Sequence, residues 1–90
     1  MGFEWDEQKR LRNLETHGID FERAKEIWQG PVREVPSIQN HHGEERFLAT
    51  GQIEERCITV VFTWRGNNRR IISARPARHY ERENYQKEIG

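Results

Sequence analysis

The chain has 90 residues, 33% hydrophobic and 33% charged, and its 15 basic and 15 acidic side chains cancel to a formal net charge of zero. That length leaves room for one modest core, and the longest apolar stretch, Ile58-Thr59-Val60-Val61-Phe62, is far too short to span a membrane. Three Trp, four Phe and two Tyr argue against disorder, the start lacks a signal-peptide pattern, and the lone Cys57 permits no internal disulfide, so one soluble cytoplasmic domain over 1–90 is expected.

Asp6 is a good N-cap, Glu7 adds charge to the first turn, and Leu11 and Leu14 share a face, which predicts a helix over 6–17 ended by Gly18. Asp20 caps a second helix over 20–29, where Phe21, Ala24, Ile27 and Trp28 form an apolar stripe before Gly30-Pro31. Residues 32–35 then read as a weak strand, with Pro36 marking an edge, and 40–45 read as a polar turn. A strand is expected over 46–53, with Gly51 as a bulge or its end. The strongest strand is 56–64, which sets Ile58, Val60, Phe62 and Trp64 on one face and Cys57, Thr59, Val61 and Thr63 on the other. Arg65-Gly66-Asn67-Asn68 reads as a hairpin turn, 69–75 as the returning strand, and 77–87 as a polar helix after Pro76. The expected class is α+β: two N-terminal helices, an antiparallel sheet of three or four strands, and a C-terminal helix.

The zero net charge conceals an asymmetry. Residues 1–45 carry six basic and ten acidic groups, and residues 46–90 carry nine and five. Between 65 and 82 stand Arg65, Arg69, Arg70, Arg75, Arg78 and Arg82 against one acid, Glu81. Arginine pairs bidentately with phosphate, so this cluster points to a phosphate or an acidic partner. On the last helix Arg78, Glu81, Arg82 and Tyr85 fall at i+3 and i+4 spacing. A carboxylate among arginines suits proton transfer beside a phosphate, and a tyrosine or His79 there suits base stacking; a surface ion pair is the plainer reading of Glu81. His17, His41, His42 and His79 lie in no spacing that supplies a metal with three or four ligands, and no glycine-rich phosphate loop or Gly-x-Ser-x-Gly elbow is present. No metal or cofactor is expected.

Two blocks go beyond generic chemistry. Phe3-Glu4-Trp5-Asp6, Lys9, Asn13 and His17-Gly18-Ile19-Asp20-Phe21-Glu22-Arg23-Ala24 form the first; Val60-Val61-Phe62-Thr63-Trp64-Arg65-Gly66, Arg70-Ile71-Ile72-Ser73-Ala74-Arg75-Pro76-Ala77, Glu81-Arg82 and Tyr85 form the second. Together they resemble the BrnT toxins of bacterial type II toxin–antitoxin systems across nearly the whole chain. The resemblance implies a RelE-like fold and a metal-independent endoribonuclease that slows translation by cutting RNA. It also implies a cognate DNA-binding antitoxin, BrnA-like and of ribbon-helix-helix or similar type, through which alone the toxin would meet DNA. On this reading Arg65, Arg75, Glu81 and His17 are the catalytic candidates, Glu81 or His17 being the base. Arg70, Arg78, Arg82 and Tyr85 are the RNA-binding candidates. Residues 29–45 match the pattern poorly. The competing expectation is a module without catalysis, whose arginine face binds nucleic acid or an antitoxin.

Overall fold

Two aspartates begin the N-terminal helices. The Asp6 carboxylate accepts from the N–H groups of Gln8 and Lys9 at the head of α1 (Glu7–His17), and Asp20 accepts from Glu22 at the head of α2 (Phe21–Ala24). Gly18 closes α1 in the left-handed conformation. The computed structural model describes residues 2–39 and 43–90, so the turn expected over 40–45 lies partly outside the described residues. Its strands are β1 (Gly2–Trp5), β2 (Arg33–Pro36), β3 (Phe47–Ile53), β4 (Arg56–Arg65) and β5 (Asn68–Pro76), followed by α3 (His79–Ile89). None of the described helices is long and apolar enough to cross a membrane.

The α+β class stands, with helices flanking one sheet, but the sheet has five strands in the order β1-β5-β4-β3-β2 and is mixed. The expected three or four antiparallel strands omitted β1, which pairs parallel with the first half of β5 from Gly2↔Asn68 to Trp5↔Ile71. Phe3 and Trp5 pack against the core from this strand. The second helix also differs, because Lys25–Gln29 tightens into a 3-10 helix. The last helix starts later than 77, since the Ala77 N–H is held by the Cys57 carbonyl in continuation of the sheet.

One face of the sheet holds the apolar core: Ile58, Val60 and Phe62 of β4 with Ile71 and Ala74 of β5, covered by Ile19, Phe21, Ala24 and Ile27. Gly51 is neither a bulge nor a strand end. It sits within β3 opposite Ile58, and a Cβ there would stand 2.7 Å from Ile27 Cβ, so its missing side chain lets the 3-10 helix lie close on the sheet.

The expected Leu11–Leu14 face is not the buried one; both leucines are exposed, and α1 turns Asn13 inward instead. β1 covers only part of the β5 edge. Beyond it the Asn13 carboxamide donates to the Ala74 carbonyl at 2.8 Å and accepts from the Ala74 N–H at 3.1 Å, replacing a neighbouring strand. It also donates to the Ile19 carbonyl at 2.9 Å, which fixes the turn between the first two helices. Asn13→Ala strips partners from three buried backbone groups and is expected to cost about 3 kcal/mol in urea unfolding. A loss below about 0.5 kcal/mol would show that water replaces the carboxamide.

Candidate functional site

Strand parity builds the second face. Thr59, Val61, Thr63 and Arg65 of β4 lie there, opposite Arg75, Ser73, Arg70 and Asn68 of β5. Arg70 and Arg75 are an odd number of residues apart, so a regular strand would send them to opposite sides. The register step from Val61↔Ser73 to Phe62↔Ile71 leaves Ile72 extra, and this bulge returns both arginines to one face. Arg69 falls on the other face, where its guanidinium lies 4.7 Å from the Trp28 ring centre and 4.6 Å from that of Trp64 and meets Glu34.

Helix α3 covers the Thr50–Thr59 end of this second face and leaves the rest open. Two depressions occupy the open part. One, of about 260 Å³, is lined by Ser37, Ile38, Gln39, Arg46, Leu48, Val61, Arg75, Arg78 and Tyr80. The other, of about 340 Å³, is lined by Asp6, Lys9, Glu44, Arg46, Thr63, Arg65, Arg70 and Ile72. Arg46 lines both, so the two adjoin on one arginine-bearing face, called here a groove with two lobes.

Arg75 is the most constrained of these cations. Its two terminal nitrogens donate to the two Glu81 oxygens at 2.7 and 3.0 Å, leaving three of its five N–H donors for other partners. Glu81, 5% exposed, also accepts from the Arg78 N–H at 2.8 Å and the Thr59 hydroxyl at 3.0 Å. Burial pushes the Glu81 carboxyl up, but the hydrogen bonds from Arg75, the Arg78 backbone and Thr59 outweigh it, and the net shift is downward. The same bond to Glu81 pushes Arg75 up, so both partners stay charged.

The other cations are held more loosely. Arg70 pairs with Glu4 at 2.8 Å, and Arg65, half exposed, lies 3.6 Å from Glu44. Hydrogen bonds from Arg70 and Asn68 lower the Glu4 carboxyl, and Arg46 does the same to Glu44. Of the sequence-derived candidates, Arg65, Arg70, Arg75 and Arg78 thus line the groove, with Glu81 behind Arg75. His17 is exposed at the end of α1, in a neighbouring shallow depression that shares Lys9 and Ile72 with the larger lobe. Arg82 and Tyr85 do not reach the groove: Arg82 donates to the Ala77 carbonyl, and Tyr85 is buried with its hydroxyl on the Pro31 carbonyl. His79 is exposed and paired with Glu83. Among the described residues no three His, Cys, Asp or Glu side chains gather where they would hold a metal.

Sequence reasoning passed over Arg46, Lys9 and Tyr80. Arg46 had a readable signal, since it stands two residues before Leu48 and shares its face by strand alternation. Tyr80 had none, because it falls outside the Arg78–Glu81–Arg82–Tyr85 face that helical spacing singles out.

Helices flanking a mixed sheet match the general RelE/BrnT architecture. A family model described as "Ribonuclease toxin, BrnT, of type II toxin-antitoxin system" matches residues 5–81, and the chain belongs to that family. It is similar to the crystal structure of the Brucella abortus ribonuclease toxin, BrnT, with 28% identity, a TM-score of 0.70, and coverage of 88% of this chain and 99% of that one. Comparison with curated protein sequences gives no significant match. The family and structural matches together support a toxin function of the BrnT type and, with it, nuclease activity.

Because Glu81 is lowered from the ordinary glutamate value of 4.5, its contribution to stability is complete above that value and is lost as pH falls through the lowered one. Glu81→Gln is therefore expected to cost about 3 kcal/mol at pH 7, with the gap to the parent narrowing below pH 4.5. Urea unfolding between pH 7 and 3 measures it, and a gap independent of pH would contradict the assigned cause.

Proposed function

We propose that this BrnT-family chain is a metal-independent endoribonuclease whose substrate phosphate lies in the arginine groove. The observation that carries this reading is the gathering of Arg46, Arg65, Arg70, Arg75 and Arg78 along one open face. In the proposed reaction the ribose 2′-oxygen attacks the adjacent phosphorus and the 5′-oxygen of the next nucleotide departs, leaving a 2′,3′-cyclic phosphate and a 5′-hydroxyl. The pentacoordinate phosphorane gathers negative charge on its equatorial oxygens. Arg75 supplies fixed donors to that charge at a place where little reorganisation is needed, while Arg70 and Arg65, farther along the same face, hold the flanking backbone phosphate.

Glu81 acts here as a positioning residue. Both its oxygens are engaged by Arg75, and its lowered pKa suits an anchor better than a proton acceptor. His17, exposed beside Lys9 in the neighbouring depression, is then the candidate for proton transfer. Arg82 and Tyr85 serve the groove indirectly by fixing α3. A cognate antitoxin would silence the protein by laying acidic side chains or a helix over the same arginines, and contact with DNA would come through that complex.

Purified protein is expected to cut single-stranded RNA in EDTA, and Arg75→Ala to lower kcat/KM by about 100-fold or more while the fold persists. Loss of cleavage on chelation with recovery on adding a divalent cation would remove the mechanism. Binding without any cleavage would favour the non-catalytic module.

The pH profile separates the two roles of Glu81. With Glu81 as positioning residue, Glu81→Gln lowers the rate yet leaves the acid limb of kcat/KM against pH where it was. Disappearance of that limb in the variant would make Glu81 the base.

A further inference from the structure

The two lobes of the groove differ in chemistry, and the difference assigns them different parts of a nucleotide. The lobe around Arg65 and Arg70 is bounded by Lys9, Thr63 and Glu44, with Ile72 as its one hydrophobic side chain. It suits phosphate and sugar. The lobe around Arg75 has an apolar floor, because Leu48 and Val61 are cross-strand partners on the face that α3 leaves uncovered. Tyr80 stands at its wall from the first turn of α3 and is 54% exposed. Its rim is mixed: Ser37 accepts the Gln39 N–H, and the fully exposed Ile38 lies between them.

We propose that this second lobe is a nucleobase subsite, in which one unstacked base rests on Leu48 and Val61 against Tyr80 while Arg75 and Arg78 hold an adjoining phosphate. This rests on the ribonuclease reading for its substrate class. Each component has a physical reason. At about 260 Å³ the lobe falls just below the range of about 300–1,000 Å³ typical of drug-sized ligands, and so takes one heterocycle rather than several. An apolar floor gains from covering by a flat ring, and an exposed aromatic stacks on any base. Guanidinium groups at the same wall bind the anion that accompanies every base. A base within a duplex is unavailable for such stacking, so the subsite selects single-stranded RNA. Arg46, shared by both lobes, sits where the chain passes from base to backbone.

The test uses uncleavable 2′-O-methyl hexanucleotides of adenosine and of uridine, with an abasic position scanned along each. Tyr80→Ala is expected to weaken binding about tenfold, and Tyr80→Phe to bind within about twofold of the parent. One abasic position should reproduce that loss in the parent and add nothing in Tyr80→Ala. Parent-like binding by Tyr80→Ala overturns the inference, as do abasic and Tyr80→Ala losses that multiply. The two readings fail separately. If Arg75→Ala abolishes cleavage while Tyr80 has no effect on binding, the ribonuclease reading stands and the subsite falls. If binding follows Tyr80 and the abasic position but no RNA is cut, the subsite stands and the catalytic reading falls.

Discussion

One buried carboxylate organises the functional face. Glu81 receives both terminal nitrogens of Arg75, the N–H of Arg78 at the start of α3, and the hydroxyl of Thr59, which also bonds Thr50 at 2.9 Å. A single side chain thus caps a helix, docks that helix on β3 and β4, and orients a guanidinium on β5. A buried ion pair is a poor source of net stability, since the desolvation of both charges offsets much of their attraction. Its value here is geometric. The bidentate bond fixes the plane of the Arg75 guanidinium, and Tyr85, one turn beyond Glu81 on the same face, pins the next turn of α3 to the Pro31 carbonyl.

The second constraint is parity. A sheet with an apolar face and a cationic face requires each arginine to fall on the correct side, and β5 achieves this only through the extra residue at Ile72. Without the bulge Arg70 would point into the aromatic side, where Arg69 already lies among Trp28, Phe62 and Trp64. The six arginines between 65 and 82 therefore have separate tasks: one is stacked beside the core, one braces α3, and four line the groove. Asn13 completes the arrangement by satisfying Ala74 where β1 no longer covers the edge of β5.

Local chemistry was the readable part of this fold. The two aspartate caps, the left-handed Gly18, the alternation through β4 and the two-residue turn into β5 all act within a few residues, where the physics is carried by neighbours in the chain. What escaped was set at long range. The partner of Gly2–Trp5 begins at Asn68, and a four-residue segment containing one glycine and two aromatics has no strand signal until that partner is present. Gly51 reads as a local irregularity because nothing nearby shows that Ile27 will press against it. Helical spacing grouped Arg78, Glu81, Arg82 and Tyr85, but the sheet selects Glu81 and Tyr85 as the buried stripe and leaves Arg82 at the margin. Arg46 joins the groove from the position just before β3, which is distant in the chain from the other arginines but whose strand pairs with β4.

On the proposed reading a formally neutral chain must bind RNA by local arrangement, because it exerts no net long-range attraction on a polyanion. The groove meets this requirement by keeping its cations in pairs of unequal strength. Arg75 is committed to a buried glutamate, Arg70 meets a half-exposed Glu4, and Arg65 only approaches Glu44. Glu4 and Glu44 reach solvent, whereas Glu81 is buried and caps α3. On the proposed reading the loose pairs exchange one anion for another at small cost, and the fixed pair defines where that anion must sit. On the same reading an acidic antitoxin segment would compete for that exchange. It would replace Glu4 on Arg70 and Glu44 on Arg65 and leave Arg75–Glu81 intact, so that inhibition need not disturb the fold.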